Sequence, residues 1–176
     1  MKKLFSMLSA GICLMTPGCK DTRLEQHKNR TPKINLQKFF DGTVKGYGSF
    51  FDWRGRQTRS FTITMIGDFD KNNKGPLKEH FVFSDGSKLN REWTVQFDEQ
   101  GNYTATAPDI VGTGHGQQMG NAAYTDYVIT IPYGDSSVNI TMDDWCYMVD
   151  DNKIINKAAM KKFGFKVAEL VIFLEK

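Results

Sequence analysis

From residue 43 to the C-terminus, the sequence consists of short segments in which apolar and polar residues alternate, separated by turns rich in Gly, Asn and Asp. Alternation with a period of two places one row of side chains on each face of a β-strand. Such segments, separated by hairpin turns, are typical of sequential antiparallel strands, so we predict an all-β, antiparallel up-and-down barrel of about eight to ten strands. The predicted strands are 44–52, 59–69, 77–84, 89–97, 103–107, 112–118, 123–132, 138–148, 154–163 and 165–174.

Two segments of the sequence fit a helical pattern. Residues 156–162 also fit a helical pattern, so a helix there is an alternative to the ninth strand. Before the barrel, Asn35 stands where it can cap a short helical turn over residues 36–40, which would end at Asp41-Gly42.

The chain begins with features of a processing signal: two lysines, a short apolar stretch and small residues before Cys19. The apolar stretch is shorter than the roughly 20 residues that a membrane-spanning helix needs. The arrangement resembles a bacterial lipoprotein signal, which is cut before a cysteine that then carries lipid. Thr16 departs from the Leu usual in that signal, so an ordinary secretory signal is the alternative.

We therefore predict three parts: a lipoprotein signal peptide over residues 1–18, a flexible tether over 19–34 that starts at the lipidated Cys19, and a β-barrel domain over 35–176. The protein would be a lipid-anchored component of the bacterial cell envelope. In a Gram-negative cell, Lys20 replaces the Asp that retains lipoproteins in the inner membrane. This favours the outer membrane, facing the periplasm.

The charge of the chain is nearly balanced, at +3 for the full sequence and +1 without the two lysines of the predicted signal. Since no basic run stands out, a nucleic-acid partner is not expected. The histidines lack metal-ligand spacing, and neither a metal nor a cofactor is predicted. Cys13 lies in the predicted signal and Cys19 would carry lipid, so Cys146 stands alone and a disulfide framework is excluded. The oligomeric state does not follow from the sequence.

Four predicted strands carry a charged residue among the apolar side chains that would face the interior, namely Arg59, Glu79, Arg91 and Asp144. Burying a charged side chain costs free energy unless it is paired and hydrogen-bonded, so each of these residues has either a structural partner or a function. One interpretation is that the arginines pair with the acids and fix the strand register. The other is that Arg59 or Arg91 binds the head group of an acidic amphiphile, oriented by Asp144 and Glu79. Its apolar tail would lie among Phe61, Ile63, Phe81, Phe83, Trp93 and Met142.

The predicted strand over residues 138–148 places Asp144 and Cys146 on the apolar face and Asp143 and Trp145 on the other. Asp143 and Asp144 therefore cannot act as a paired acid and base. Cys146 is interpreted as a small core residue.

Gly112, Gly114 and Gly116 fall on one face of the sixth predicted strand and leave it without side chains. Glycines in a strand let the sheet curve or another backbone approach closely. The alternative is open space for a ligand inside the barrel.

Ten short motifs are spread over residues 35–176. They are Phe39-Phe40-Asp41-Gly42, Gly46-x-Gly48 with Phe50, Arg59-x-Phe61, Phe81-x-Phe83-x-Asp85-Gly86, Arg91-x-Trp93, Asp109-x-Val111-Gly112, Gly120-Asn121-Ala122, Asp143-Asp144-Trp145-x-Tyr147, Asn156-x-Ala158 and Lys162-x-Gly164. Together they resemble the bacterial family called domain of unknown function 3833. Cys146 stands where Met would be expected, and Lys157 where Arg would be expected.

The resemblance implies a lipocalin-like barrel, often carried by a lipoprotein, with no established activity and no assigned catalytic residue. Members tend to be encoded near genes for fatty-acid modification, which points to a lipid or fatty-acid ligand. We therefore expect a membrane-anchored, non-enzymatic protein that binds or carries a lipid or another small apolar molecule. One alternative is an enzyme or accessory factor in membrane fatty-acid modification, with Asp144 as acid or base. Another is a scaffold that binds a partner through Trp145 and Tyr147.

Overall fold

Ten antiparallel strands form one closed barrel in a computed structural model that describes residues 22–176. Consecutive strands pair with each other, and β1 also pairs with β10, which closes the sheet. The strands are β1 (Gly42–Asp52), β2 (Gln57–Gly67), β3 (Lys74–Phe83), β4 (Lys88–Phe97), β5 (Tyr103–Thr106), β6 (Ile110–Met119), β7 (Ala122–Tyr133), β8 (Ser136–Asp150), β9 (Lys153–Lys162) and β10 (Phe165–Glu175). The predicted all-β up-and-down barrel is confirmed, with ten strands.

Residues 156–162 belong to β9 and are not helical. Ile154, Asn156 and Ala158 alternate inward, and the strand pairs along its length with β8 and β10. Pairing with both neighbours satisfies the backbone hydrogen bonds of this segment as a strand, so the strand interpretation is confirmed over the helix.

The two ends of the barrel differ. At one end, which we call the helix end, α2 (Leu36–Phe40) lies across the opening and buries Leu36, Phe39 and Phe40. Asn35 caps this helix by accepting a hydrogen bond from the Lys38 N–H at 2.9 Å, as predicted. The other end, the hairpin end, carries the β1–β2, β3–β4, β5–β6, β7–β8 and β9–β10 connections.

An N-terminal segment lies along the outside of the barrel before α2. It includes α1 (Thr22–Glu25), whose Leu24 is 3% exposed and packs with Ala122 of β7 and Trp145 of β8. The Arg23 guanidinium lies 3.3 Å from the Asp143 carboxylate. The sequence does not reveal these contacts, because a single Leu gives no periodic signal until its partners on other strands are known. The assignment of residues 19–34 as a tether stays a prediction. Cys19 and the predicted signal peptide lie outside the described residues.

Candidate functional site

The barrel contains a cavity of about 140 Å³ between α2 and the aromatic side chains toward the hairpin end. Most of its lining is apolar and comes from eight strands and α2. Eight polar or titratable side chains interrupt this apolar lining: Glu79, Arg91, Tyr103, Thr125, Tyr127, Asp144, Cys146 and Asn156. Phe81 and Trp93 line the cavity as the sequence suggested. Phe61 is buried beside it and packs on Phe81 with 5.2 Å between the ring centroids.

Arg91 is held between two carboxylates. It faces Glu79 directly across the β3–β4 pair, with 3.3 Å between Nη1 and Oε2. On its other side, Nε and Nη2 each lie 2.9 Å from Asp109 Oδ2 in the β5–β6 connection. Burial raises the pKa of Glu79, with Arg91 acting against that rise. The guanidinium is therefore engaged with protein groups and supports the register interpretation made from the sequence.

Arg59 lies at the rim of the hairpin end and does not line the cavity. Its Nη2 is 2.8 Å from Asp85 Oδ2 in the β3–β4 turn, and its guanidinium lies over the Phe83 ring at 3.5 Å. Both arginines predicted to meet an acidic head group thus have carboxylate partners of their own. The pairing of an arginine with Asp144, which the sequence left open, does not occur.

Asp144 is instead bound by neutral donors. Asn156 Nδ2 donates to Oδ1, and the Tyr127 hydroxyl donates to Oδ2 at 3.2 Å. Burial raises the pKa of Asp144, and these two hydrogen bonds offset only part of the rise. The Tyr127 ring also makes an edge contact with Trp93, with 5.4 Å between centroids, and so joins the Asp144 side of the cavity to the Arg91 side.

Tyr103 fills the space that the glycines of β6 leave. A Cβ atom on Gly116 would lie 2.0 Å from the Tyr103 ring, and one on Gly114 would lie 3.1 Å from Tyr127 Cβ. Tyr103 and Gly116 are cross-strand neighbours, so the missing side chain makes room for the ring. The Tyr103 side chain accounts for Gly116, whereas Gly114 lies close both to Tyr127 Cβ and to the backbone oxygens of Ala105 and Asp126, at 3.4 and 3.5 Å from its would-be Cβ. Gly112 has φ +74° and lies at an irregularity in the β6–β7 register.

Cys146 and Asp143 differ in their surroundings although both belong to β8. Burial raises the pKa of the Cys146 thiol, which keeps it protonated and a weak nucleophile. Asp143 lies on the outer face, under the N-terminal segment. Burial opposes its charge, but Lys161 and Arg23 more than compensate and lower its pKa.

The outer face of β8 is covered by the protein's own chain. Trp145 is 8% exposed, and its indole N–H donates to Asp143 at 3.2 Å. His27 of the N-terminal segment lies against Trp145 and Tyr147, with ring centroids 6.1 and 5.5 Å away. The surface predicted to bind a scaffold partner is therefore occupied within the chain.

Five polar residues in or near the cavity were not identified as site residues from the sequence: Tyr103, Asp109, Thr125, Tyr127 and Asn156. Asp109 and Asn156 appear in the family motifs, which was the available signal. Tyr103 and Tyr127 occupy inward-facing positions of β5 and β7, the two strands that pair with the glycine-containing strand β6. An aromatic ring opposite a glycine is the pattern that identifies them.

Within residues 22–176, no group of three or more His, Cys, Asp or Glu side chains is arranged to hold a metal ion. None of the helices in this part of the chain is long and apolar enough to cross a membrane.

We expect the neighbouring residues Asp144 and Asp143 to respond to pH in opposite directions. Because the folded-state pKa of Asp144 is raised, its charging costs stability as pH rises above the unfolded value of 3.8. Asp144→Asn should therefore match the wild type near pH 3.5 and be more stable at pH 7, by about 1–3 kcal/mol. Urea unfolding at a series of pH values measures this difference.

Asp143→Asn is the matched control on the opposite face. Its folded-state pKa is lowered from 3.8, so its charge stabilises the fold above that value and this stabilisation is lost as pH falls. The Asn variant should lose roughly 1 kcal/mol at pH 7 and little at acid pH. If Asp144→Asn destabilises the protein at pH 7 as Asp143→Asn does, the assignment of a costly buried charge is wrong.

These features define a closed antiparallel β-barrel, consistent with a lipocalin-like barrel, whose small interior cavity has a carboxyl-rich side. The chain belongs to the family described as protein of unknown function DUF3833, whose family model matches residues 13–176. The comparison with curated proteins found no match.

Proposed function

We propose that the protein binds a small lipid-like molecule, or the end of a larger one, inside the barrel. The observation that carries this proposal is an apolar cavity with Asp144 in its wall, a buried carboxyl group that hydrogen bonds but no ion pair support. Ligand sites of this type combine an apolar lining with a few convergent polar groups. The carboxyl oxygens of Asp144 retain lone pairs that can accept a hydrogen bond from a ligand.

The size of the cavity limits what enters it. About 140 Å³ is close to the volume of an engineered cavity of about 150 Å³ that accepts benzene. It is below the roughly 300–1,000 Å³ of most drug-sized ligand sites. A benzene-sized molecule or a short apolar segment fits, and a longer acyl chain enters only when interior side chains shift.

The charges around the cavity favour a neutral or cationic polar end on the ligand. Glu79, Asp109 and Asp144 supply three carboxyl groups, against one guanidinium from Arg91. An anionic head group would meet a guanidinium whose Nε, Nη1 and Nη2 atoms each contact a carboxylate already, together with carboxyl groups that repel it. A hydroxyl or amine donor matches Asp144 better than the acidic head group considered from the sequence.

Three fluorinated probes of one shape test this proposal by ¹⁹F NMR: 4-fluorobenzyl alcohol, 4-fluorobenzylamine and 4-fluorobenzoate. We expect the alcohol to bind and the benzoate to bind at least tenfold more weakly, the equivalent of about 1.4 kcal/mol. Ala105→Phe should abolish binding because Ala105 lines the cavity and a Phe side chain there would fill it. Thr104→Phe, on the exposed outer face of the same strand, is the matched control and should bind normally.

Two results would contradict the proposal. Binding that survives Ala105→Phe would place the probe outside the cavity. Tighter binding of the benzoate than of the alcohol would mean that Arg91 is available to an acid, against the charge argument.

A second candidate is the enzyme or accessory factor in fatty-acid modification. It is favoured by one observation, the raised pKa of Asp144 beside the cavity, since perturbed carboxyl groups in clefts often act as acid or base. If the Asp144→Asn variant still binds 4-fluorobenzyl alcohol but no longer supports lipid conversion, this candidate is favoured. Lipid anchoring at Cys19 and an outer-membrane location rest on the sequence alone and stay predictions.

A further inference from the structure

The four most exposed large hydrophobic side chains of the described residues are all aromatic and all lie at the hairpin end. Their exposed fractions are 87% for Phe163, 77% for Phe165, 75% for Tyr133 and 63% for Trp53. Single exposed apolar residues are common on protein surfaces, but a group of aromatic side chains on loop tips marks an interaction surface. We call these four residues the aromatic rim.

The aromatic rim occupies one continuous arc of the barrel mouth. Trp53 lies in the β1–β2 connection, Phe163 and Phe165 at the β9–β10 connection, and Tyr133 at the end of β7. Around the closed sheet, β1 pairs with β10 and β9 pairs with β8, so the three hairpins are neighbours. The N-terminal segment joins the barrel on this side, where Arg23 contacts Asp143 of β8.

The backbone at Phe163 indicates that its side chain is there for a purpose other than forming the turn. Phe163 has φ +51° and Gly164 has φ +82°, the signs of a type I′ hairpin turn. The first position of that turn favours Asn, Asp or Gly, because other side chains are strained at positive φ. Strained residues that persist on a surface often serve function.

Basic residues accompany the rim. Residues 53–56 and 161–166 contain Arg54, Arg56 and three lysines. Three of these five are in ion pairs: Arg56 with Asp52 at 2.7 Å, Lys166 with Glu169 at 3.3 Å, and Lys161 with Asp143. The Arg54 guanidinium lies over the Trp53 ring at 4.5 Å, and the Lys162 ammonium lies 4.9 Å from the centre of the Phe163 ring. Within residues 22–176 neither Arg54 nor Lys162 is in an ion pair, so these two cations remain for an anionic surface, and the third tip carries Asp135.

Aromatic and basic side chains on the same tips match the interface of an anionic lipid bilayer. Trp and Phe bury their rings at the boundary between head groups and acyl chains, while Arg and Lys extend toward the lipid phosphates. From this arrangement we propose that the aromatic rim docks the hairpin end of the barrel onto the surface of an anionic membrane. This proposal is independent of the cavity ligand and of a lipid on Cys19.

The test uses full-length protein with Cys19→Ser, so that no acyl chain can be attached. Co-sedimentation with vesicles of phosphatidylethanolamine and phosphatidylglycerol at 3:1, and with phosphatidylcholine vesicles, measures the partition coefficient. We expect binding to the anionic vesicles, with a partition coefficient at least tenfold lower for the double variant Phe163→Asn and Phe165→Ser. Phe163→Asn places the favoured residue in the turn, and Phe165 is 77% exposed, so neither change removes core packing and the fold should be kept.

Tyr47→Ser is the matched control, since Tyr47 is an exposed aromatic residue on the barrel wall, 57% exposed and distant from the rim. Its partition coefficient should equal that of the parent protein. Trp53 fluorescence gives a second readout, because Trp93 and Trp145 are both buried. Brominated lipids should quench Trp53 in the parent and much less in the double variant.

The proposal is overturned if the parent does not bind anionic vesicles, if the double variant binds equally well, or if Tyr47→Ser loses as much binding. It is also overturned if the rim mediates self-association. In that case sedimentation velocity without vesicles would show a dimer that the double variant cannot form.

Discussion

Replacing Arg91 by Met is expected to lower the free energy of unfolding by about 3–5 kcal/mol at pH 7, the usual consequence of removing one partner from a buried ion pair. Glu79 and Asp109 would keep their positions in the barrel wall and lose the guanidinium that they share. Since burial already raises the pKa of Glu79, its charge would then be opposed by burial without the counteracting cation. Urea unfolding followed by tryptophan fluorescence measures the change.

The pH dependence and a matched control separate this explanation from a loss of packing. The deficit of Arg91→Met should shrink as pH falls toward about 4, because the orphaned Glu79, whose pKa burial raises, then becomes protonated. Arg59→Met removes an arginine from a more exposed pair at the rim, and such pairs contribute at most about 1 kcal/mol. Equal losses for the two variants, or a deficit independent of pH, would show that Arg91 acts through packing alone.

The second large effect is expected at Gly116. Gly116→Ala should cost about 1–3 kcal/mol, the usual range for overpacking a core, because the new Cβ would overlap the Tyr103 ring. The displaced ring would also lose the hydrogen bond between the Tyr103 and Thr125 hydroxyls. Its nearest free space is the cavity, so binding of 4-fluorobenzyl alcohol should fall together with stability.

Gly114→Ala is the control for this prediction, since its Cβ would meet its nearest neighbour at 3.1 Å and not at 2.0 Å. Its cost should be well below that of Gly116→Ala. A double variant with Tyr103→Leu should recover most of the loss at Gly116, which a double-mutant cycle would report as a positive coupling. If both glycine variants lose the same stability, Tyr103 is not what requires a glycine at position 116.

Much of the fold follows from local sequence, because alternation and turn residues act within a strand and its neighbour. The strand periods placed Glu79, Arg91 and Asp144 inside the barrel, and the structure places all three in the wall of one cavity. The Asn35 cap is equally local and was found for the same reason.

The rest depends on pairs of residues far apart in the chain. Asp109, in a loop, pairs with Arg91 of β4, and Asn156 of β9 donates a hydrogen bond to Asp144 of the neighbouring strand β8. Neither pair leaves a periodic pattern in the sequence. Leu24 is buried only because Ala122 and Trp145 meet on adjacent strands. The role of the β6 glycines likewise becomes clear only when Tyr103 is known to lie opposite Gly116.

The central claim, that the barrel interior holds a ligand, is tested most directly by mass spectrometry of the organic extract of the purified full-length protein. Ala105→Phe, purified in parallel from the same cells, is the control with a filled cavity. We predict one lipid-like species in constant molar ratio to the wild type, with an uncharged or cationic polar end, and its absence from Ala105→Phe. No such species in the wild type, or the same species in equal amount from both proteins, would contradict the account.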